Sequence, residues 1–312
     1  MWAMDMTLRQ RRTFEQLVGL GPPPPVDEDL ADRMRDRLET RLLSAGISRG
    51  STPPVWLAKR HLNYVDRCEG LFESVLLREG PPFEHSERSA SGALFHKAIE
   101  VDVGTERRFD PRSACERAIV RLCSSDAPFS GFWDAMDEFE RAEMLVEAGR
   151  YLVWFRDSFP PIERRWAPQT ELTMKAPLLK GAVVLSGAPD LVLGRRRRLV
   201  LDFKTGRAWP EHPEDMRYYA LLMLLRTGVA PYRVATFFLD SGEWQSEDVT
   251  EETLQRAADR VCHSAVTAHR LRTGGPPELR PAAHCVWCPR RERCQAASGR
   301  VELEGARRSL PA

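Results

Sequence analysis

The spacing of apolar residues changes near residue 160, and this change limits the folds that the chain can adopt. Before it, apolar residues recur at helical spacing, which predicts helices over 27–45, 55–76, 89–103, 111–125 and 131–157. After it, β-rich runs predict strands over 170–175, 183–193, 199–203 and 234–239, followed by a short segment at 243–249. Two further helices are predicted over 213–225 and 251–271. This order indicates an α/β fold, with a mixed central sheet flanked by helices and a helical N-terminal part.

Changes in composition divide the chain into four segments. Residues 1–25 are predicted to be a tail that ends in a stiff proline-rich spacer. Residues 26–160 form the helical part, and residues 161–275 form the α/β core. Residues 276–312 hold three cysteines and a C-terminal tail. We expect residues 26–295 to fold as one compact unit.

The charge and hydropathy of the chain bear on its binding of anionic polymers and on its location in the cell. The net charge is only +1, so any binding of an anionic polymer must come from local positive charge along a groove. The sequence lacks a run of about 18 apolar residues of the kind that spans a membrane. Charged residues interrupt positions 1–19, so no secretory signal is predicted there, and we expect a cytoplasmic protein.

The strongest local signal is a pair of acidic motifs on a predicted hairpin. Gly187-Ala-Pro-Asp190 is followed, after eleven residues, by Asp202-Phe203-Lys204. Side chains repeat every two residues along a strand, so Asp202 and Lys204 share a face, and Asp190 can reach the same point. Two carboxylates bind a hard cation such as Mg²⁺ or Mn²⁺, while the lysine can orient an attacking water and offset developing negative charge. Asp and Lys two residues apart are common on exposed strands in general. The apolar flanks here predict a buried strand instead, where unpaired charges are costly and therefore indicate a functional role.

The turn between the two predicted strands of the hairpin carries four arginines, Arg195 to Arg198. A solvated hairpin tip explains them, because charged turns are common. The alternative is that the guanidinium groups contact phosphate beside the acidic motifs. The sequence leaves both interpretations open.

Four of the seven cysteines suggest a metal centre. Cys285, Cys288 and Cys294 have the spacing C-x₂-C-x₅-C, and without a secretory signal a disulfide framework is not expected. Spacing alone leaves structural zinc and an iron–sulfur cluster equally open, and His284 offers a spare ligand for zinc. The cysteines predicted to be simply buried are Cys115, Cys123 and Cys262.

Taken together, these motifs resemble the PD-(D/E)XK nuclease superfamily over roughly residues 55–295, and within it the RecB-like branch with AddB-type and CRISPR-associated iron–sulfur nucleases. Pro189-Asp190 and Asp202-Phe203-Lys204 match the defining pair of motifs. Gly92-Ala-Leu-Phe-His96 matches the Gly-x-x-x-His element of that branch, and Glu171 stands where the family has a glutamate. The resemblance implies a restriction-endonuclease-like fold. It also implies the following roles: His96, Asp190, Asp202 and the main-chain carbonyl of Phe203 as ligands of Mg²⁺ or Mn²⁺, Lys204 as the catalytic lysine, and Glu171 as an auxiliary acid.

The resemblance extends to a helix and to the cysteines. The branch carries Gln-x-x-x-Tyr on the helix after the lysine strand; here Tyr219 fits, Asp215 replaces the glutamine, and Arg217 lies between them as a further candidate for DNA contact. In iron–sulfur members three C-terminal cysteines join one remote N-terminal cysteine, which corresponds here to Cys68. By resemblance, the four cysteines hold a [4Fe–4S] cluster that staples the two ends of the domain, with structural Zn²⁺ as the alternative.

The function that this resemblance implies is a metal-dependent DNA nuclease, with residues 161–275 as its nuclease core. We expect a RecB-like exonuclease that acts on single-stranded DNA or DNA ends, and a helicase or another repair or defence protein is a possible partner. The sequence has no Walker A motif, so a helicase would have to be a separate protein. The alternative is a DNA-end-binding or recombination scaffold with weak or no catalysis.

Overall fold

The computed structural model describes residues 6–18, 27–51, 53–206 and 208–298. The predicted proline-rich spacer and the tail beyond residue 298 lie outside the described residues. The helices are α1 Leu8–Val18, α2 Leu30–Ser44, α3 Lys59–Arg67, α4 Glu69–Leu76, α5 Glu87–Gly104, α6 Pro111–Ser125, α7 Ala127–Ala135, α8 Glu138–Ser158, α9 Glu211–Thr227, α10 Glu251–Arg272 and α11 Gln295–Ser298. The strands are β1 Val55–Leu57, β2 Gln169–Thr170, β3 Met174–Leu178, β4 Val183–Gly187, β5 Leu191–Leu193, β6 Leu199–Lys204, β7 Arg233–Phe238 and β8 Glu243–Asp248.

The strands form two mixed sheets, and the predicted α/β class is confirmed. The smaller sheet has the order β1-β4-β3, and the larger has the order β2-β5-β6-β7-β8. Each sheet contains one parallel pair, β1 with β4 and β6 with β7, among antiparallel neighbours. The predicted mixed sheet flanked by helices is thus present, with its strands distributed over two neighbouring sheets among the described residues.

Two breaks in the chain explain where the predicted elements differ from the observed ones. The predicted strand 183–193 is divided into β4 and β5, which belong to different sheets, and Pro189 lies in the connection, where it cannot donate to a sheet. The predicted strand 170–175 is interrupted at Glu171, whose φ of 48° places it in the left-handed region.

The predicted helix 55–76 is divided into β1, α3 and α4. Ala58 and Cys68 adopt extended backbone conformations, and each precedes the start of a new helix. The first of these breaks places Lys59 at the first position of α3, directly after a strand.

Strand β6 separates two hydrophobic cores. One core gathers residues of α2, β1, α3, β3, β4, α9 and α10, and includes Val200 of β6. The other gathers residues of α5, α6, α8 and β7, and includes Leu201 and Phe203 of β6. Because side chains alternate across a strand, Asp202 and Lys204 share the face of Val200 and point to the side of α9 and α3. The helices of the described residues are too short or too polar to span a membrane.

Candidate active site

The hairpin of β5 and β6 brings the two aspartates of the sequence motifs together. Leu191 pairs with Leu201, so Asp190 and Asp202 lie immediately beyond this pair on adjacent strands. The main-chain N–H of Phe203 donates a hydrogen bond to Asp190 Oδ2 at 2.6 Å. The N–H of Glu171 donates to the main-chain oxygen of Asp190 at 3.1 Å. Asp190 is thus held from both neighbouring strands.

Helix α5 supplies a third side chain to this point. His96 Nδ1 lies 3.0 Å from Asp190 Oδ1. Burial opposes protonation of His96, but the charge of Asp190 outweighs it and raises the pKa of the imidazole. Burial, together with the charge of Asp190, raises the pKa of Glu171 to about 7. The negative charge of Asp190 thus raises the pKa of both His96 and Glu171.

His96, Glu171 and Asp190 form a possible metal site. One ligand atom from each of the three lies within 4.8 Å of the others. An imidazole nitrogen with two carboxylate oxygens suits a divalent cation, and the oxygens favour Mg²⁺ or Mn²⁺. A cation would also relieve the repulsion between the two carboxyl groups that contributes to the raised pKa of Glu171.

Asp202 lies beside this group and is contacted by two lysines. Its side chain is almost fully buried, with the Lys204 ammonium against Oδ2 and Lys59 Nζ 3.2 Å from Oδ1. Burial favours the neutral acid, but the two ammonium groups outweigh it and hold the pKa of Asp202 well below its usual range. Asp202 Oδ2 contacts Lys204 but makes no hydrogen bond of regular geometry. This oxygen can therefore still bind a cation.

Two aspartates, a glutamate and a lysine lie on or directly next to neighbouring strands, with a histidine from a helix beside them. This arrangement agrees with a match to a known family. The model of the PD-(D/E)XK nuclease superfamily matches residues 19–295. The chain belongs to the PD-(D/E)XK nuclease superfamily.

Two of the solved structures that match the chain do so at low sequence identity. One is described as a "putative exonuclease" from Eubacterium rectale; it is 11% identical, and the match covers 79% of this chain and 88% of that chain with a TM-score of 0.48. Another, described as SSO0001, is also 11% identical, and the match covers 85% of this chain and 96% of that chain with a TM-score of 0.34. No curated protein matches the chain.

The three predicted DNA-contact residues on helix α9 of this nuclease have different surroundings. Tyr219 is 2% exposed, and its hydroxyl donates a hydrogen bond to the main-chain oxygen of Ala188 at 2.8 Å, so it supports the loop before Asp190 rather than facing DNA. Asp215 is buried beside the site, where Asn63 Nδ2 donates to it at 3.0 Å. Because of this burial, the pKa of Asp215 is raised.

Arg217, the third of these residues, is held elsewhere. Its guanidinium pairs with Glu247 at 2.9 Å and contacts Glu214. These partners, rather than the acids of the nuclease site, fix its side chain. The arginine turn is also away from the acids, because it joins the opposite ends of β5 and β6; Arg196 pairs there with Glu28.

The four predicted cluster cysteines lie around one cavity. Cys68 follows α3, and the other three come from the segment after α10; together they line a cavity of about 330 Å³. Burial works against ionisation of Cys68, but hydrogen bonds from His284 and from the main-chain N–H of Arg280 lower its pKa to about 7. Arg290 fastens the same segment to α4 and the turn after it through Glu73 and Glu79.

Lys59 is the site residue that the sequence motifs did not identify. It belongs to no motif and lies 143 residues from Asp202 along the chain. One signal was available: basic charge in this sequence is almost entirely arginine, and Lys59 is one of only five lysines. A lysine in such a chain is a candidate for a position that arginine cannot fill.

Proposed function

We propose that this chain is a divalent-metal-dependent deoxyribonuclease of the RecB-like branch, and that it acts as an exonuclease on single-stranded DNA or DNA ends. The observation that carries the proposal is the convergence of His96, Glu171 and Asp190 beside the Asp202–Lys204 pair. The histidine comes from a helix that the defining nuclease motifs do not include, and its contact with Asp190 supports the branch as well as the superfamily.

Each residue of the proposed site has a chemical task. A divalent cation held by His96, Glu171 and Asp190, with Asp202 and the Phe203 carbonyl as further proposed ligands, would supply Lewis-acid activation of water and of the scissile phosphate. Lys204 donates to the attacking water or to a phosphate oxygen and offsets the negative charge that develops during in-line attack. Asp202 holds the Lys204 ammonium in place.

For the cysteines we propose a [4Fe–4S] cluster with a structural role. Cys68, Cys285, Cys288 and Cys294 line one cavity of about 330 Å³. Four thiolates are the usual ligands of such a cluster, and structural Zn²⁺ is the alternative.

The test is cleavage of end-labelled single-stranded and duplex DNA by anaerobically purified protein, with Mg²⁺ or Mn²⁺. We expect metal-dependent cutting that Lys204→Ala reduces by about 10² or more and that Lys175→Ala, at a lysine on β3, leaves unchanged. The ladder of products reports whether cutting begins at an end and from which one. Binding of DNA without cutting under every condition would contradict the proposal and would instead support a DNA-end-binding scaffold.

A further inference from the structure

Lys59 occupies a position where a positive charge is costly. It is the first residue of α3, and the N-terminus of a helix disfavours a cation because the helix dipole is positive there. Its side chain is only 26% exposed, so it also loses much of its hydration. Its Nζ lies 3.2 Å from Oδ1 of Asp202, and this contact offsets the cost of the position.

Two ammonium groups contact the same carboxylate. Lys204 contacts Oδ2 of Asp202, while Lys59 contacts Oδ1. Asp215, another acid near Lys59, has its own donor in Asn63. Two cations thus lie on the two oxygens of Asp202, one from β6 and one from α3.

The geometry of the two lysines matches the anion that a nuclease must hold. A phosphodiester, like a carboxylate, shares one negative charge between two oxygen atoms that are not bonded to carbon. Lys59 and Lys204 lie one on each oxygen of Asp202. An ammonium group has three N–H donors, so contact with Asp202 does not exhaust either lysine. The pair can therefore hold Asp202 and receive a phosphate at the same time.

We propose that Lys59 is a second phosphate-binding cation of the nuclease site, which contacts the DNA backbone together with Lys204. This inference rests on the proposed function and adds to it a residue from the helical part of the chain. The ring of Tyr219, whose centroid is 4.9 Å from Lys59 Nζ, supports the side chain in this position. The ligand class is a phosphodiester of single-stranded DNA, contacted without regard to base sequence.

The test is the salt dependence of binding to a fluorescent oligothymidine, measured in EDTA so that no cleavage occurs. For single-stranded DNA each phosphate contact contributes about 0.7 to the slope of log K against log salt concentration. We expect Lys59→Met to weaken binding and to reduce the slope by about 0.7, and Lys59→Arg to retain the slope because its charge remains. Lys59→Gln is measured in parallel, in case the methionine variant does not fold.

The matched control is Lys175→Met. Lys175 also lies over an aromatic ring, with Nζ 5.2 Å from the centroid of Trp56, but it lies on β3 outside the site. Its variant should keep both the slope and the affinity. A slope equal to that of the wild type in both Lys59→Met and Lys59→Gln would overturn the inference, even where cleavage falls, because a residue that only positions Asp202 leaves the count of phosphate contacts unchanged. In that case the cleavage of the wild type still supports the nuclease proposal, whereas a wild type that neither cuts nor binds DNA overturns both.

Discussion

The hydroxyl of Tyr219 donates a hydrogen bond to the main-chain oxygen of Ala188, two residues before Asp190, at 2.8 Å. This contact joins α9 to the loop between the two sheets, so a buried tyrosine supports the position of an acid of the proposed active site. The same loop begins at Gly187, where a Cβ atom would lie 2.9 Å from Cε1 of Tyr219. The ring of Tyr219 thus leaves room for glycine, but not for a residue with a Cβ atom, at position 187.

Removal of the Tyr219 hydroxyl should affect catalysis more than stability. We expect Tyr219→Phe to lower the free energy of unfolding by about 1 kcal/mol and the cleavage rate about tenfold, because Asp190 is less well placed. Chemical denaturation and single-turnover cleavage measure the two effects. Tyr218→Phe is the control, because the hydroxyl of Tyr218 bonds instead to the main-chain oxygens of Leu57 and Ser186. It should lose similar stability and keep its cleavage rate; equal loss of activity in both variants would contradict this role of Tyr219.

A methyl group at Gly187 should be tolerated poorly. Besides Tyr219, the added carbon would lie 3.3 Å from Cδ2 of Leu222, so Gly187→Ala forces a buried helix away from the loop. We expect a loss of about 1–3 kcal/mol in unfolding free energy, as for other overpacked cores. Gly149→Ala in α8 meets nothing within 4 Å and should instead stabilise the protein by about 0.5–1 kcal/mol. Thermal or urea unfolding that ranks the two variants in the opposite order would refute the close packing at Gly187.

Acid should destabilise the fold through His61. Burial, with a contribution from Arg60, lowers the pKa of His61 to about 4, and its Nδ1 accepts the main-chain N–H of Ala58 at 3.1 Å. The unfolded chain binds this proton below about pH 6.5, whereas the folded chain resists it until about pH 4. The stability is therefore complete above pH 6.5 and falls between pH 6.5 and 4, by roughly 2–3 kcal/mol for this group.

The matched variant for this pH dependence is His61→Gln, because glutamine can accept the same capping hydrogen bond without titrating. Denaturation is measured for both proteins from pH 7.5 to 4.5, and the difference between them isolates His61 from other groups such as Glu171, whose pKa is raised in the opposite sense. We expect the wild type to lose more stability than the variant over this interval. Parallel curves would show that His61 carries no such linkage.

The cysteine cavity should hold iron and sulfide rather than zinc. We expect protein purified without oxygen to contain both, and Cys68→Ser or Cys288→Ser to lose most of the iron and to unfold at a lower temperature. Cys115→Ser should retain the cluster, because burial in α6 raises the pKa of that thiol to about 12 and it does not line the cavity. Zinc in the wild type, at one ion per chain and without sulfide, would refute the cluster.

The hairpin could be predicted from the sequence because its determinants are local. Strand β6 reads as apolar residues around Asp202 and ends at Lys204, and strand geometry alone places those two side chains on one face. The turn from Gly194 to Arg198 has a length that is typical of a hairpin connection. The structure confirms the antiparallel pairing of β5 with β6.

The features that the sequence could not predict depend on contacts between distant segments. The run 183–193 is apolar almost throughout, so its pattern does not reveal that the chain changes sheets at Pro189. Lys59 reaches Asp202 only because β1 pairs in parallel with β4 and places the start of α3 beside β6. Tyr219 carries a family motif, but only the packing of α9 against the loop shows that its hydroxyl is buried.

The position of β6 between two hydrophobic cores has a consequence for dissecting this protein. A fragment limited to residues 161–275 would retain Glu171, Asp190, Asp202 and Lys204, and it would carry every residue of the defining motifs. It would nevertheless lack His96 and Lys59, and it would lose α5, α6 and α8 from one core and α2 and α3 from the other. Limited proteolysis between residues 104 and 160 is therefore expected to abolish both nuclease activity and cooperative unfolding, because we expect catalysis to require both hydrophobic cores.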